Sequence, residues 1–157
     1  MQGLRGELEQ LRYQIAQFKK QKEQSVESQS NDQHVYKSAV DALQKKQYAQ
    51  ATEKFNHIVN KMPKSSLVPN AHYWLGEIDL LYNRYTQAMQ HFEYLLERYP
   101  QHAKVPDALL KLSLAEIETG RHEVAKTHLS RIVSQHPRST AAHMARLQLK
   151  RLDTGKS

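Results

Sequence analysis

Apolar residues at the start of the chain form one narrow stripe. Met1, Leu4, Leu8, Leu11, Ile15 and Phe18 recur at alternating spacings of three and four. This is the a/d seam of a heptad, with Met1, Leu8 and Ile15 at a and Leu4, Leu11 and Phe18 at d. Glu7 falls at g and Arg12 at the following e, the placement for an ion pair between helices. The next a and d positions hold Lys22 and Ser25, so the apolar seam stops there. A helix with so thin a stripe is marginal in isolation. The pattern therefore predicts a coiled-coil segment over 1–24 that packs on the rest of the chain or, as the sharper reading, self-associates through Leu4, Leu8, Leu11, Ile15 and Phe18. The register alone does not choose between dimer and trimer. Residues 25–32, Ser-Val-Glu-Ser-Gln-Ser-Asn-Asp, are almost free of apolar groups and read as a polar linker, with Asn31 or Asp32 available to cap the next helix.

From residue 33 the stripes broaden and fall on a 37-residue grid. Pro63, Pro100 and Pro137 lie on it, with Pro69 and Pro106 offset by six. So do Ala39, Gly76 and Ser113; Ala51, Ala88 and Ala125; Phe55, Phe92 and Leu129; and Tyr48, Tyr85 and His122. A period of this length marks stacked helical units that bury their apolar faces on one another. Each unit reads as helix A, a short turn, helix B and a proline-containing connection. In the second unit helix A is expected from about Val68 to Tyr82, with Pro69 tolerated in its first turn. Asn83 and Arg84 make the turn, and helix B runs from Tyr85 to Arg98, ended by Pro100. Gly120 takes the turn position of Asn83 in the third unit. Lys46 takes it in the first, where a different or strained turn is expected. The units span about 33–66, 67–103 and 104–139. A helix over 140–152 presents Arg146, Lys150 and Arg151 outward and caps the stack. The predicted fold is all-α: a right-handed superhelix of three helix-turn-helix repeats over 33–153, including the C-terminal capping helix, preceded by a short coiled-coil helix.

Composition narrows the chemistry. The chain has 23 basic and 16 acidic residues, a net charge of +7, but the basic residues are spread along every helix. That is a solvated surface rather than a nucleic-acid footprint, so no nucleic acid is expected as a partner. No apolar run reaches the ~18–20 residues of a membrane span, so no membrane insertion is expected. The first residues lack the apolar core of a signal peptide. Cysteine is absent, which removes thiol chemistry, disulfides and cysteine metal sites. Five glycines form no phosphate loop, and no two histidines stand four apart on a helix as a metal pair. No cofactor, metal or catalytic residue is expected.

In the second unit Leu75-Gly76, Tyr85, Ala88, Phe92 and Pro100 resemble the tetratricopeptide repeat in order and spacing. A closer resemblance comes from Leu4-Arg5-Gly6-Glu7-Leu8-Glu9, Pro69-Asn70-Ala71-His72-Tyr73-Trp74-Leu75-Gly76 and Lys150-Arg151-Leu152 taken together. These are similar to the CpoB, or YbgF, family of cell division coordinators in the Tol–Pal system of Gram-negative bacteria. The resemblance implies a periplasmic, non-enzymatic scaffold with a trimerising coiled coil. It further implies binding to TolA and to a peptidoglycan synthase, keeping septal wall synthesis in step with outer-membrane constriction. Two other readings stand beside it: a tetratricopeptide lipoprotein of outer-membrane assembly, which needs a lipid-carrying cysteine, and a generic peptide-binding adaptor.

In such a stack helix A of each unit lines the concave surface. One turn-spaced set points into it: Tyr36, Val40 and Leu43; Tyr73, Glu77 and Leu80; Leu110, Leu114 and Ile117. Lys37, Trp74 and Lys111 lie beside them. An apolar groove of this kind suits an amphipathic helix or an extended peptide. About half of these residues are expected to pack on neighbouring repeats, with Trp74 the expected exposed anchor. The positions where some tetratricopeptide proteins grip a terminal carboxylate hold tyrosine, valine, glutamate and leucine, so that mode is not expected.

Overall fold

A computed structural model describes residues 2–155, without the side chains of Gln2 and Leu4. Met1 and the Leu4 side chain, both assigned to the seam, thus lie outside the described residues. Within them the chain forms seven α-helices and no strand: α1 (Gln2–Gln44), α2 (Tyr48–Lys61), α3 (Val68–Leu81), α4 (Tyr85–Arg98), α5 (Val105–Glu118), α6 (His122–Gln135) and α7 (Thr140–Asp153).

The grid residues set the helix ends. Pro69 and Pro106 occupy the first turns of α3 and α5, where a missing N–H costs nothing. At α7 the Ser139 hydroxyl caps the helix by accepting from the Ala142 amide at 3.0 Å. Each turn between helix A and helix B is a Schellman motif. Lys46, Asn83 and Gly120 sit at φ +59°, +56° and +80°. Their amides donate to the carbonyls of Leu43, Leu80 and Ile117, and the next residues, Gln47, Arg84 and Arg121, donate to Ala42, Asp79 and Glu116. The first turn is therefore not different from the others. Lys46 accepts the left-handed conformation because the motif satisfies two carbonyls that would otherwise be orphaned.

The remaining grid residues form the core. Ala39, Ser113, Ala51, Ala88, Ala125, Phe55, Phe92 and Leu129 are fully buried. At Gly76 the fit is closest: a Cβ there would lie 2.6 and 2.7 Å from atoms of the Phe92 ring. Consecutive helices pack in sequence from α1 to α7. Along the stack α5 also touches α3 and α7, whereas the even-numbered helices make no comparable contact with one another. The odd-numbered helices therefore lie inside the curve and the even-numbered ones outside.

The segment 25–32 is not a linker: α1 runs through it without interruption. No glycine or proline occurs within 25–32 to break the helix there, and polar residues cost it less than about 0.7 kcal/mol each. Nor does Asp32 cap a helix. It is buried in mid-helix and accepts a hydrogen bond from the Ser65 hydroxyl in the first connection. Before Asp32 the helix is exposed, and Leu8, Leu11, Ile15 and Phe18 each leave half or more of their surface in solvent.

Candidate functional site: a divided concave groove

The inner face is built by the end of each helix A and the start of the following helix B. Between α1, α3 and α5 lies a hollow of about 350 Å³ lined by Leu43, Tyr48, Trp74, Glu77, Ile78, Leu80, Leu81 and Lys111. Of the residues assigned from sequence, Leu43, Trp74, Glu77, Leu80 and Lys111 are brought together here. At its edge Lys111 Nζ on α5 lies 3.3 Å from Glu77 Oε1 on α3, an ion pair that spans two repeats. A second hollow, about 490 Å³, opens toward the C-terminus among Leu114, Ile117, His122, Lys126, Arg151 and Leu152. Lys126 there lies between Glu123 at 3.8 Å and Asp153 at 3.4 Å. The groove thus offers apolar floors with charged rims of both signs.

Several assigned residues are packed within the stack. Trp74 is not a free anchor: its indole N–H donates to Tyr36 Oη at 2.9 Å, and its ring packs against both halves of the core. Tyr36 in turn meets Phe55 edge-on, so the pair ties α1 to α3. Tyr73 is buried, edge-on to Phe92 and Trp74. Burial, then the carboxylates of Glu77 and Asp107, push its phenol well above the ordinary range, so it stays a neutral hydroxyl. Lys104 Nζ sits 4.6 Å from the Tyr73 ring centre and 5.3 Å from that of Trp74, closing this aromatic cluster with a cation. Leu110 is likewise buried, and Val40 packs half-buried against the first part of the core.

Two sets of residues were missed. Tyr48 and His122 each line a hollow, because the start of helix B forms its lip. Their shared place on the grid was a signal. The second set is an acid–histidine pair inside each of two units. His91 Nε2 lies 3.6 Å from Asp79 Oδ2, and His128 Nδ1 lies 2.9 Å from Glu116 Oε2. Both members of the second pair are displaced by 37 from the first, a repeat visible in the sequence. In the second unit the pair extends. Arg84 binds Asp79 at 2.7 Å, His91 Nδ1 meets His72 Nδ1 at 3.0 Å, and Tyr94 stacks on His72. Burial, with His91 beside it, lowers His72 to about 4. His91 is also lowered by burial, against the opposing pull of Asp79.

Residues 79–149 match the family model described as tetratricopeptide repeat. Over these residues the stacked helix pairs are tetratricopeptide repeats. The tetratricopeptide domain of Arabidopsis OM64 superposes with a TM-score of 0.66 over 79% of this chain and 98% of that one, at 14% identity, which bears on fold alone. In sequence the chain is similar to the cell division coordinator CpoB of Pseudomonas putida, 40% identical over 45 residues. That stretch is 29% of this chain and spans only 17% of the relative's length. A chain built of tetratricopeptide repeats mediates protein–protein interaction. No described helix is long and apolar enough to cross a membrane.

Proposed function

We propose that the chain is a periplasmic adaptor of the CpoB type. It holds a segment of TolA in the concave groove, associates with a peptidoglycan synthase, and self-associates through the seam of α1. In this role it coordinates septal wall synthesis with outer-membrane constriction. The observation that carries the binding mode is the hollow between α1, α3 and α5, where Leu43, Leu80 and Leu81 form an apolar floor beside the Glu77–Lys111 pair. An amphipathic helix can lay an apolar side chain onto that floor and its charges along the rim. The likeness to CpoB supports the cell-division part, and the heptad with Glu7 and Arg12 supports self-association.

Calorimetric titration with the helical region of TolA tests the reading. Leu43→Ser with Leu80→Ser is expected to weaken binding tenfold or more, since buried anchors carry most of such an interface. Glu93→Ala, on the exposed outer side of α4, is expected to leave it unchanged. Undiminished affinity in a folded double variant would remove the groove from the interface. No binding by the wild-type chain would remove TolA as the partner.

A further inference from the structure

We infer that the seam and the groove lie on the same side of one continuous helix, so that self-association turns the grooves of the copies toward a shared central axis. This deepens the self-association reading above and rests on it.

The argument is one of helical phase. Because α1 is uninterrupted from Gln2 to Gln44, directions at its N-terminal end can be carried to its C-terminal end at about 3.6 residues per turn. Phe18 and Tyr36 are 18 residues apart, which is about five full turns. Ile15 and Val40 are 25 apart, about seven turns. The exposed seam therefore points the same way as Tyr36 and Val40. That is the groove side of α1, where Tyr36 holds Trp74 and Leu43 lines the hollow. Asp41 and Lys45, which α1 exposes on its far side in this half, lie more than a quarter turn from the mean direction of the seam.

The occupant of the seam is a second copy. Leu8, Leu11, Ile15 and Phe18 are more than half exposed, and no helix of their own chain covers them. Glu7 at g and Arg12 at the following e pair between parallel strands of a coiled coil. Parallel association puts all the repeat domains at one end. The polar a and d positions Lys22, Ser25 and Gln29 then give the helices nothing to adhere through, so they can diverge and leave room for the domains around the axis. The even-numbered helices face outward. A partner segment entering one groove lies next to its neighbours' grooves, inside a central cleft.

The chain contains no cysteine, so a single introduced cysteine carries one spin label per copy. Leu81→Cys marks the rim of the inner hollow and Glu93→Cys the outer side of α4. The two sites lie on the neighbouring helices α3 and α4, whose axes are about 10 Å apart, and the distance across the axis changes by about twice that. Pulsed dipolar spectroscopy on the assembled full chain is expected to give an inter-copy distance shorter at 81 than at 93 by on the order of 20 Å. Ile15→Asp with Phe18→Asp should abolish both signals while the helical circular dichroism persists. Equal distances, or a shorter one at 93, overturn the inward orientation while leaving self-association intact. No dipolar signal from either site, together with a monomer in sedimentation equilibrium, overturns self-association and the orientation with it.

Discussion

At the residue scale the closest constraint is the missing Cβ of Gly76. Phe92 is fully buried against it, and both belong to the grid that pairs a small residue of helix A with a large one of helix B. Alanine at 76 would gain about 1 kcal/mol in helix propensity. It would also drive a methyl group into ring atoms 2.6 and 2.7 Å away. Overpacking of a tight core costs about 1–3 kcal/mol. The ring is flanked by Tyr73 and cannot swing freely. The clash wins, and Gly76→Ala is expected to lower the midpoint of thermal unfolding followed by circular dichroism. Adding Phe92→Leu, the choice the third unit makes opposite Ser113, should recover part of the loss. A melting point at or above wild type would mean that α3 and α4 separate without cost. These pairings were legible in the sequence because each recurs three times. The exposure of Trp74 was not, because sequence spacing gives a direction on the helix but not the hydroxyl of Tyr36 waiting in that direction.

At the scale of elements, the helix boundaries were readable wherever proline, glycine or asparagine marks them, and α4 begins and ends at Tyr85 and Arg98 as the spacing predicts. Over 25–32 there is no glycine or proline, and polarity with Asn31 was mistaken for a break. The shared turn geometry has a measurable consequence. Lys46 holds φ +59° where Gly120 holds +80°. A residue with a Cβ is disfavoured there by about 1–2 kcal/mol, offset in part by the chain entropy that glycine gives up on folding. Lys46→Gly is expected to stabilise the chain by about 0.5–1 kcal/mol, read as a higher urea midpoint with an unchanged slope. Gly120→Ala should move the midpoint the other way. A fall with Lys46→Gly would show that the lysine side chain contributes more than its backbone costs.

At the scale of the whole molecule, the stack is held by joints between neighbouring helices, and the middle joint contains a buried titratable line. Arg84, Asp79, His91 and His72 run in sequence between α3 and α4, with Tyr94 stacked on the last. The contact between the two Nδ1 atoms requires one to donate and the other to accept. Asp79 favours a proton on His91 Nε2, so His72 donates through Nδ1 and its Nε2 is left buried without a partner. Taking up a further proton there would bury a charge, which is why His72 is held near 4 in the folded chain. In the unfolded chain it titrates near 6.5. Above that pH neither state binds the proton, and His72 contributes no pH dependence. Below it the unfolded state binds a proton that the folded state refuses, so stability falls by up to about 1.4 kcal/mol per pH unit until the folded group titrates. His91, lowered in the same direction, adds to the loss. Because each unit is stabilised mainly by its neighbours, weakening the middle joint uncouples the first from the third. The melting temperature should therefore be flat from pH 8 to pH 7 and decline between about pH 6.5 and 4. His72→Leu supplies what the grid already supplies at Leu109 and, with valine, at Val35. It should shallow that decline while changing little at pH 7.5. Parallel declines for variant and wild type, measured by differential scanning calorimetry, would place the acid sensitivity elsewhere in the fold.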